Sequence, residues 1–171
     1  SVALNSFYRD NDTESFVVGL TSVSDAFNDY QQWGGTLQFS HDRVLNERNS
    51  FNLGVEYGKN HFTNDTTATF SGFPFAARTS AYEDVVGFYF LDTLDIFESL
   101  SVTGGFRYDW DRIDLTDRIT PAFSFVKTFD HFSPRAGVAY NPLPNLGFYF
   151  NYSQGFRTPT VAEFPAFDPP T

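Results

Sequence analysis

The 171-residue chain has no cysteine and no methionine. The missing cysteine removes disulfides, thiolate metal sites and a cysteine nucleophile. Long apolar runs are missing too. No segment approaches the roughly 18 consecutive apolar residues of a transmembrane helix, so a membrane reading has to be a barrel. Basic residues are scarce, with 11 Lys and Arg against 21 Asp and Glu and a formal charge of -10. That balance lacks the basic footprint of a nucleic-acid binder. It suits either long solvated loops or a lumen that meets cationic or metal-bearing solutes. There is no P-loop, no dinucleotide fingerprint, no zinc-ligand spacing and no convincing helical period.

Aromatics are abundant, at 19% of residues with 22 phenylalanines. Mean hydropathy is nevertheless only -0.30. Many aromatics in a mildly polar chain fit strands that are apolar on one side. The run from Phe132 to Phe164 shows the pattern. Leu146, Phe148, Phe150 and Tyr152 fall on one face, and Gly147, Tyr149, Asn151 and Ser153 on the other. Successive strand side chains point to opposite faces, so this is one oily face and one mostly polar face. Such a pair of faces points to an outer-membrane β-barrel.

Seven strands are expected: 2–9, 30–40, 51–62, 79–92, 100–112, 131–140 and 146–157. In the second, Trp33, Leu37 and Phe39 alternate with Gln32, Thr36 and Gln38. In the third, Phe51, Leu53, Val55 and Tyr57 alternate with Asn52, Gly54 and Glu56. The fifth is cleanest, with Leu100, Val102, Phe106, Tyr108 and Trp110 against Ser101, Thr103, Arg107, Asp109 and Asp111. The fourth alternates poorly, because Val85 to Leu91 is nearly all apolar. Segments 10–29 (with a possible extension at 16–20), 63–78 and 113–130 read as long loops. Connections near residues 45, 95 and 143 read as short. The tail from Thr158 is proline-rich and reads as loop. Alternating short and long connections, with strands of about 9 to 13 residues, are a barrel signature. Trp110, Tyr108, Phe62, Tyr152 and Phe156 are expected to form an aromatic girdle at the upper rim.

Two hairpins carry a family resemblance. Ser133-Pro134-Arg135-Ala136-Gly137-Val138-Ala139-Tyr140, an Asn-Pro turn, and a strand ending Tyr152-Ser153-Gln154-Gly155-Phe156-Arg157-Thr158-Pro159-Thr160, with Ala162-Glu163 beyond, form the first. Gly87-Phe88-Tyr89-Phe90-Leu91-Asp92 followed by Leu100 to Asp109 forms the second. Together they resemble the barrel of TonB-dependent outer-membrane receptors, over most of the chain from about residue 30 onward. The resemblance implies an all-β, antiparallel up-and-down transmembrane segment, a slice of a barrel of about 22 strands around a plug. Residues 1–171 are expected to be part of that barrel domain, without the plug and without the C-terminal strands. The absent start Met and signal peptide agree with an internal piece or processed product. In water such a slice exposes two sheet edges and should aggregate.

The resemblance also implies function. The whole protein would take up a scarce solute such as a ferric siderophore across the outer membrane of a Gram-negative bacterium, energised by the TonB complex acting on the plug. Its partners would be outer-membrane lipid, TonB and the ligand. Phe156-Arg157-Thr158-Pro159 resembles the Phe-Arg-Ala-Pro box of haem receptors, with Thr for Ala, and similar words occur in siderophore and cobalamin receptors. Haem and cobalamin are therefore possible ligands. The alternatives are a passive porin-like channel and a soluble carbohydrate-binding β-sandwich.

Candidate ligand contacts are Phe70, Phe73 and Phe75 in the long loop at 63–78 and Arg157 near the rim. Packing within the loop, and a strand-end or plug contact for Arg157, are the plainer roles. Glu56, Arg107, Asp109 and Asp111 are expected to face the lumen, lining the substrate path, holding the plug by charge pairs or simply meeting water. No catalytic residue, metal ligand or resident cofactor is expected. His41, His61 and His131 are in separate segments and read as strand-end or turn residues. The Asp130-His131 pair lacks a second dyad, and Ser133 and Ser153 lack a visible base and orienting acid. The chain is not expected to be an enzyme.

Overall fold

The computed structural model describes residues 1–43 and 48–158. The strands are β1 (Val2–Val18), β2 (Ser22–Arg43), β3 (Asn49–Phe70), β4 (Phe73–Phe97), β5 (Leu100–Asp117), β6 (Phe125–Leu143) and β7 (Leu146–Ser153). They form one antiparallel sheet in the order β1 to β7, each strand beside its neighbours in sequence. This is the expected up-and-down topology. Among the described residues the only other element is a 3₁₀ turn at Pro121–Phe123.

The alternation forecast in the sequence is the one the register produces. Residues directly opposite in an antiparallel pair share a face. Leu37, Val55, Phe88, Tyr108 and Phe132 are successive register partners across β2 to β6. So are Phe39, Leu53, Phe90 and Phe106 in the next row. Their rings form a ladder across the strands, with centroids 5.8 Å apart for Phe88–Phe106 and 5.3 Å for Phe106–Phe132. Most of these side chains are partly exposed, from 37% for Phe39 to 53% for Leu37 and Phe132, and on β7 Phe148 and Phe150 are 58% and 68% exposed. On β5 this apolar band runs from Leu100 to Trp110, close to the 9 to 11 residues a tilted strand needs to cross a bilayer.

The strands are much longer than expected, from 17 residues in β1 to 25 in β4. Segments 10–29 and 63–78 are not loops. They are the distal halves of two hairpins, β1–β2 and β3–β4, paired without interruption up to Val18↔Val23 and Phe70↔Phe73. The turn between β3 and β4 is only Ser71–Gly72, both with positive φ (51° and 84°). Two such residues make the primed turn whose twist suits a hairpin. The Ser71 amide donates to the Thr21 carbonyl at 2.7 Å and ties the two distal turns together. The long loop at 113–130 shrinks likewise to 118–124. Beyond the apolar band both faces meet water, so the one-sided alternation that marks a strand in the sequence disappears.

At the other end, connections at Glu98–Ser99 and Pro144–Asn145 are short, as expected. The connection near residue 45 lies largely outside the described residues, as does the tail from Pro159 with its Thr160, Ala162 and Glu163. β7 ends at Ser153 rather than reaching Arg157, because its pairing to β6 stops at Arg135↔Ser153.

The girdle needs correction. Trp110, Tyr108 and Tyr152 lie on the apolar face. Phe62 pairs with Ala81 on the polar face. Phe156 stacks on His131 (4.5 Å between ring centroids), also on that side. Nor do His61 and His131 end strands. Both are mid-strand, His61 on the apolar face of β3, stacked 4.3 Å from Tyr82.

Candidate functional site

The polar face gathers the charged residues singled out in the sequence. Glu56, Gly87, Asp109 and His131 are successive register partners on β3, β4, β5 and β6. Arg107 lies one inward position along β5, opposite Tyr89 and Ser133. Its Nε donates to Asp109 Oδ1 at 2.7 Å, and its Nη2 reaches Glu56 Oε2 at 2.6 Å, crossing β4 to do so. The crossing depends on Gly87. A Cβ there would come within 2.6 Å of Arg107 Nη2 and 3.3 Å of Asp109 Oδ1. Gly54 clears space in the same way for the Tyr89 ring, 2.5 Å from where its Cβ would be. The poor alternation of β4 now has a cause. Tyr89 and Leu91 face the polar side, where they cover glycine gaps and line a cavity of about 600 Å³ with Asn52, Glu56 and Arg107.

After Ser153 the chain turns across the polar face. The Gln154 amide donates to the Pro134 carbonyl at 3.1 Å, and Gln154 Nε2 lies 3.4 Å from His131 Nε2. Phe156 stacks on His131, and the Thr158 hydroxyl donates to Asp111. The aromatic-arginine box is thereby folded back over the cavity, with Phe156 and Thr158 in its lining. Arg157 itself is exposed.

Asp111 is only 3% exposed and lies just beyond the apolar band. Burial, then the neighbouring Glu83 carboxylate, push it up from the usual carboxylate range to about 7, against the hydrogen bond from Thr158. Glu83, and Asn60 which donates to it at 2.6 Å, were not singled out in the sequence. Asn60 has the same parity as Glu56 on β3, and that signal was available. Glu83 had none, because the facing of β4 was obscured by its apolar run.

Phe70, Phe73 and Phe75 come together, though not in a loop. Phe70 and Phe73 flank the Ser71–Gly72 turn as register partners, and Phe75 sits opposite Ala68. All three share the polar side's parity and are exposed at 56%, 76% and 46%. They occupy the distal tip, apart from the Arg107 network and from Arg157.

A family model described as TonB dependent receptor-like, beta-barrel matches residues 1–169. The chain belongs to the TonB-dependent receptor β-barrel family. Its sheet also resembles parts of solved structures. The ferric citrate transporter FecA in its unliganded form superposes with a TM-score of 0.77 at 15% identity, over 88% of this chain and 24% of that one. The ferric yersiniabactin uptake receptor FyuA from Yersinia pestis gives 0.73 at 11% identity, over 86% and 24%. At such identities the likeness is one of fold. The chain spans about a quarter of the length of either receptor. No curated protein matches the sequence.

Proposed function

We propose that this chain forms seven strands of the wall of an outer-membrane receptor that takes up a scarce solute of the ferric-siderophore class. The observation that carries the reading is the division of one continuous sheet into two faces. One bears a bounded band of exposed aromatics and aliphatics, suited to lipid. The other bears the Glu56–Arg107–Asp109 network, a polar cavity and small residues, suited to a lumen. Energy would come from TonB acting on a plug contributed by sequence outside these 171 residues, since the outer membrane holds no ATP. Family membership and the two receptor folds support this. The lumen wall holds Glu56, Arg107, Asp109 and Asp111 along the path of the plug and cargo. The exposed Phe70, Phe73 and Phe75 at the distal tip, and Arg157 near the cavity, are the ligand contacts. Nothing in this arrangement carries covalent chemistry.

The test is uptake of ⁵⁵Fe-siderophores by cells that rely on the complete receptor. Uptake is expected to vanish when TonB is deleted. Replacing Phe70, Phe73 and Phe75 together by alanine should weaken ligand binding at least about tenfold, as loss of buried aromatic anchors does at other interfaces. Receptor abundance should not change. Transport that persists without TonB would instead indicate a passive channel, and unaltered binding would remove the three phenylalanines from the ligand site.

A further inference from the structure

Arg135 stands on the polar face of β6 and lines the cavity of about 600 Å³. Its row of register partners, from β3 to β7, is Asn52, Leu91, Gly105, Arg135 and Ser153. Neither this row nor the polar-face rows on either side of it hold a carboxylate between β3 and β7. Along β5 the inward order is Gly105, Arg107, Asp109 and Asp111, so the acids begin two inward positions beyond the partner of Arg135. Glu56 and Asp109 are both held by Arg107. The ion-paired cations among the described residues are Lys59, Arg78 and Arg107. Arg135 makes no ion pair and no hydrogen bond among those residues.

An exposed arginine alone is satisfied by water. The residue beside it is not so placed. Ser133, the next inward residue on β6, is only 8% exposed and lines the same cavity. Its hydroxyl has no hydrogen-bond partner among the described residues. A buried hydroxyl ordinarily has one. The chain also closes the cavity at this point. Pro134 accepts from the Gln154 amide at 3.1 Å but has no N–H to return, so the ladder ends at Arg135↔Ser153. Gln154 and Gly155 then leave β7 and join the cavity lining.

We propose that Arg135 and Ser133 form a site for one carboxylate-type anion on the polar wall. The planar guanidinium presents a fork that matches two carboxylate oxygens, and the serine hydroxyl is a further donor. The group that completes them must therefore accept hydrogen bonds and carry negative charge. A small anion in the lumen has that chemistry, and so has an Asp or Glu side chain of the plug. The inference rests on the geometry of the wall and not on the identity of the cargo.

The experiment is phenylglyoxal modification of the complete receptor in detergent, followed at Arg135 by peptide mass spectrometry. Sodium malonate is the anion probe, and sodium chloride of equal ionic strength is the control. If the anion comes from solution, Arg135 reacts freely in chloride and malonate slows it at least about fivefold, as a guanidinium held by a carboxylate should be slowed. Arg118, exposed beyond the end of β5, is not slowed. If the anion is a plug carboxylate, Arg135 is slow in both salts. Arg135→Gln then lowers the melting temperature, because it strands a covered carboxylate, and Arg135→Lys restores at least about half of the loss. Either result supports the site, and the two tell its sources apart. Free reaction of Arg135 in both salts, or equal slowing of Arg118, would overturn the proposal. So would a slow Arg135 whose replacement by Gln costs nothing or no more than replacement by Lys.

Discussion

At the residue scale, the meeting of Arg107 with Glu56 depends on an absent side chain. Exposed pairs of this kind are worth about 0–1 kcal/mol each, and Arg107 and Glu56 are 38% and 37% exposed. Gly87→Ala is therefore expected to cost about 1 kcal/mol, by driving the guanidinium off Glu56 and leaving two carboxylates in one row. In an Arg107→Ala background the same substitution has room. It should be neutral or slightly stabilising there, because alanine restricts the unfolded chain more than glycine does. A double-mutant cycle by thermal or denaturant unfolding measures this, and additive effects would mean that Gly87 does not gate the pair. Parity along β3 and β5 was enough to put Glu56, Arg107, Asp109 and Asp111 on one face before any coordinates. Which of them touch was not legible, since contact depends on cross-strand register and on a glycine in the strand between the two partners. The Glu83–Asp111 contact was hidden for the same reason.

At the scale of the strand, alternation was a faithful guide only where lipid or lumen makes the faces differ. It located the apolar sets of β2, β3, β5 and β7. It failed for 10–29 and 63–78, where Asp, Asn and Thr on both faces imitate a loop. The β-branched threonines at 63, 66, 67 and 69 favour strands and were the available hint. The boundary between the two regimes can be tested. Val55 lies in the apolar band, and Thr63 lies on the same face of β3 beyond it, opposite Asp29 and Ser80. Val55→Arg should destabilise the receptor in bilayers by about 2–4 kcal/mol, the cost of arginine near a membrane midplane. Thr63→Arg should cost about 0–1 kcal/mol. Refolding titrations into lipid vesicles read both values, and equal costs would contradict a band that ends between them.

At the scale of the whole molecule, the sheet has order β1 to β7 and no pairing of β7 back to β1 among the described residues. The β1 edge and the free side of β7 therefore present unpaired backbone groups, which in a bilayer only further strands can satisfy. A wall with apolar residues outside, charge inside and hairpins rising past the lipid is a coherent unit only as part of a closed barrel. The central claim is that division of faces. It is tested most directly by spin labels placed singly along β5 from Leu100 to Thr116 in the complete receptor, reconstituted in lipid. Collision with oxygen reports lipid, and collision with a water-soluble nickel chelate reports water. The account predicts oxygen maxima at 102, 106, 108 and 110 and nickel maxima at 103, 105, 107 and 109, with the oxygen signal lost from 112 onward. Nickel access at every position, or oxygen maxima on the odd-numbered residues, would contradict it.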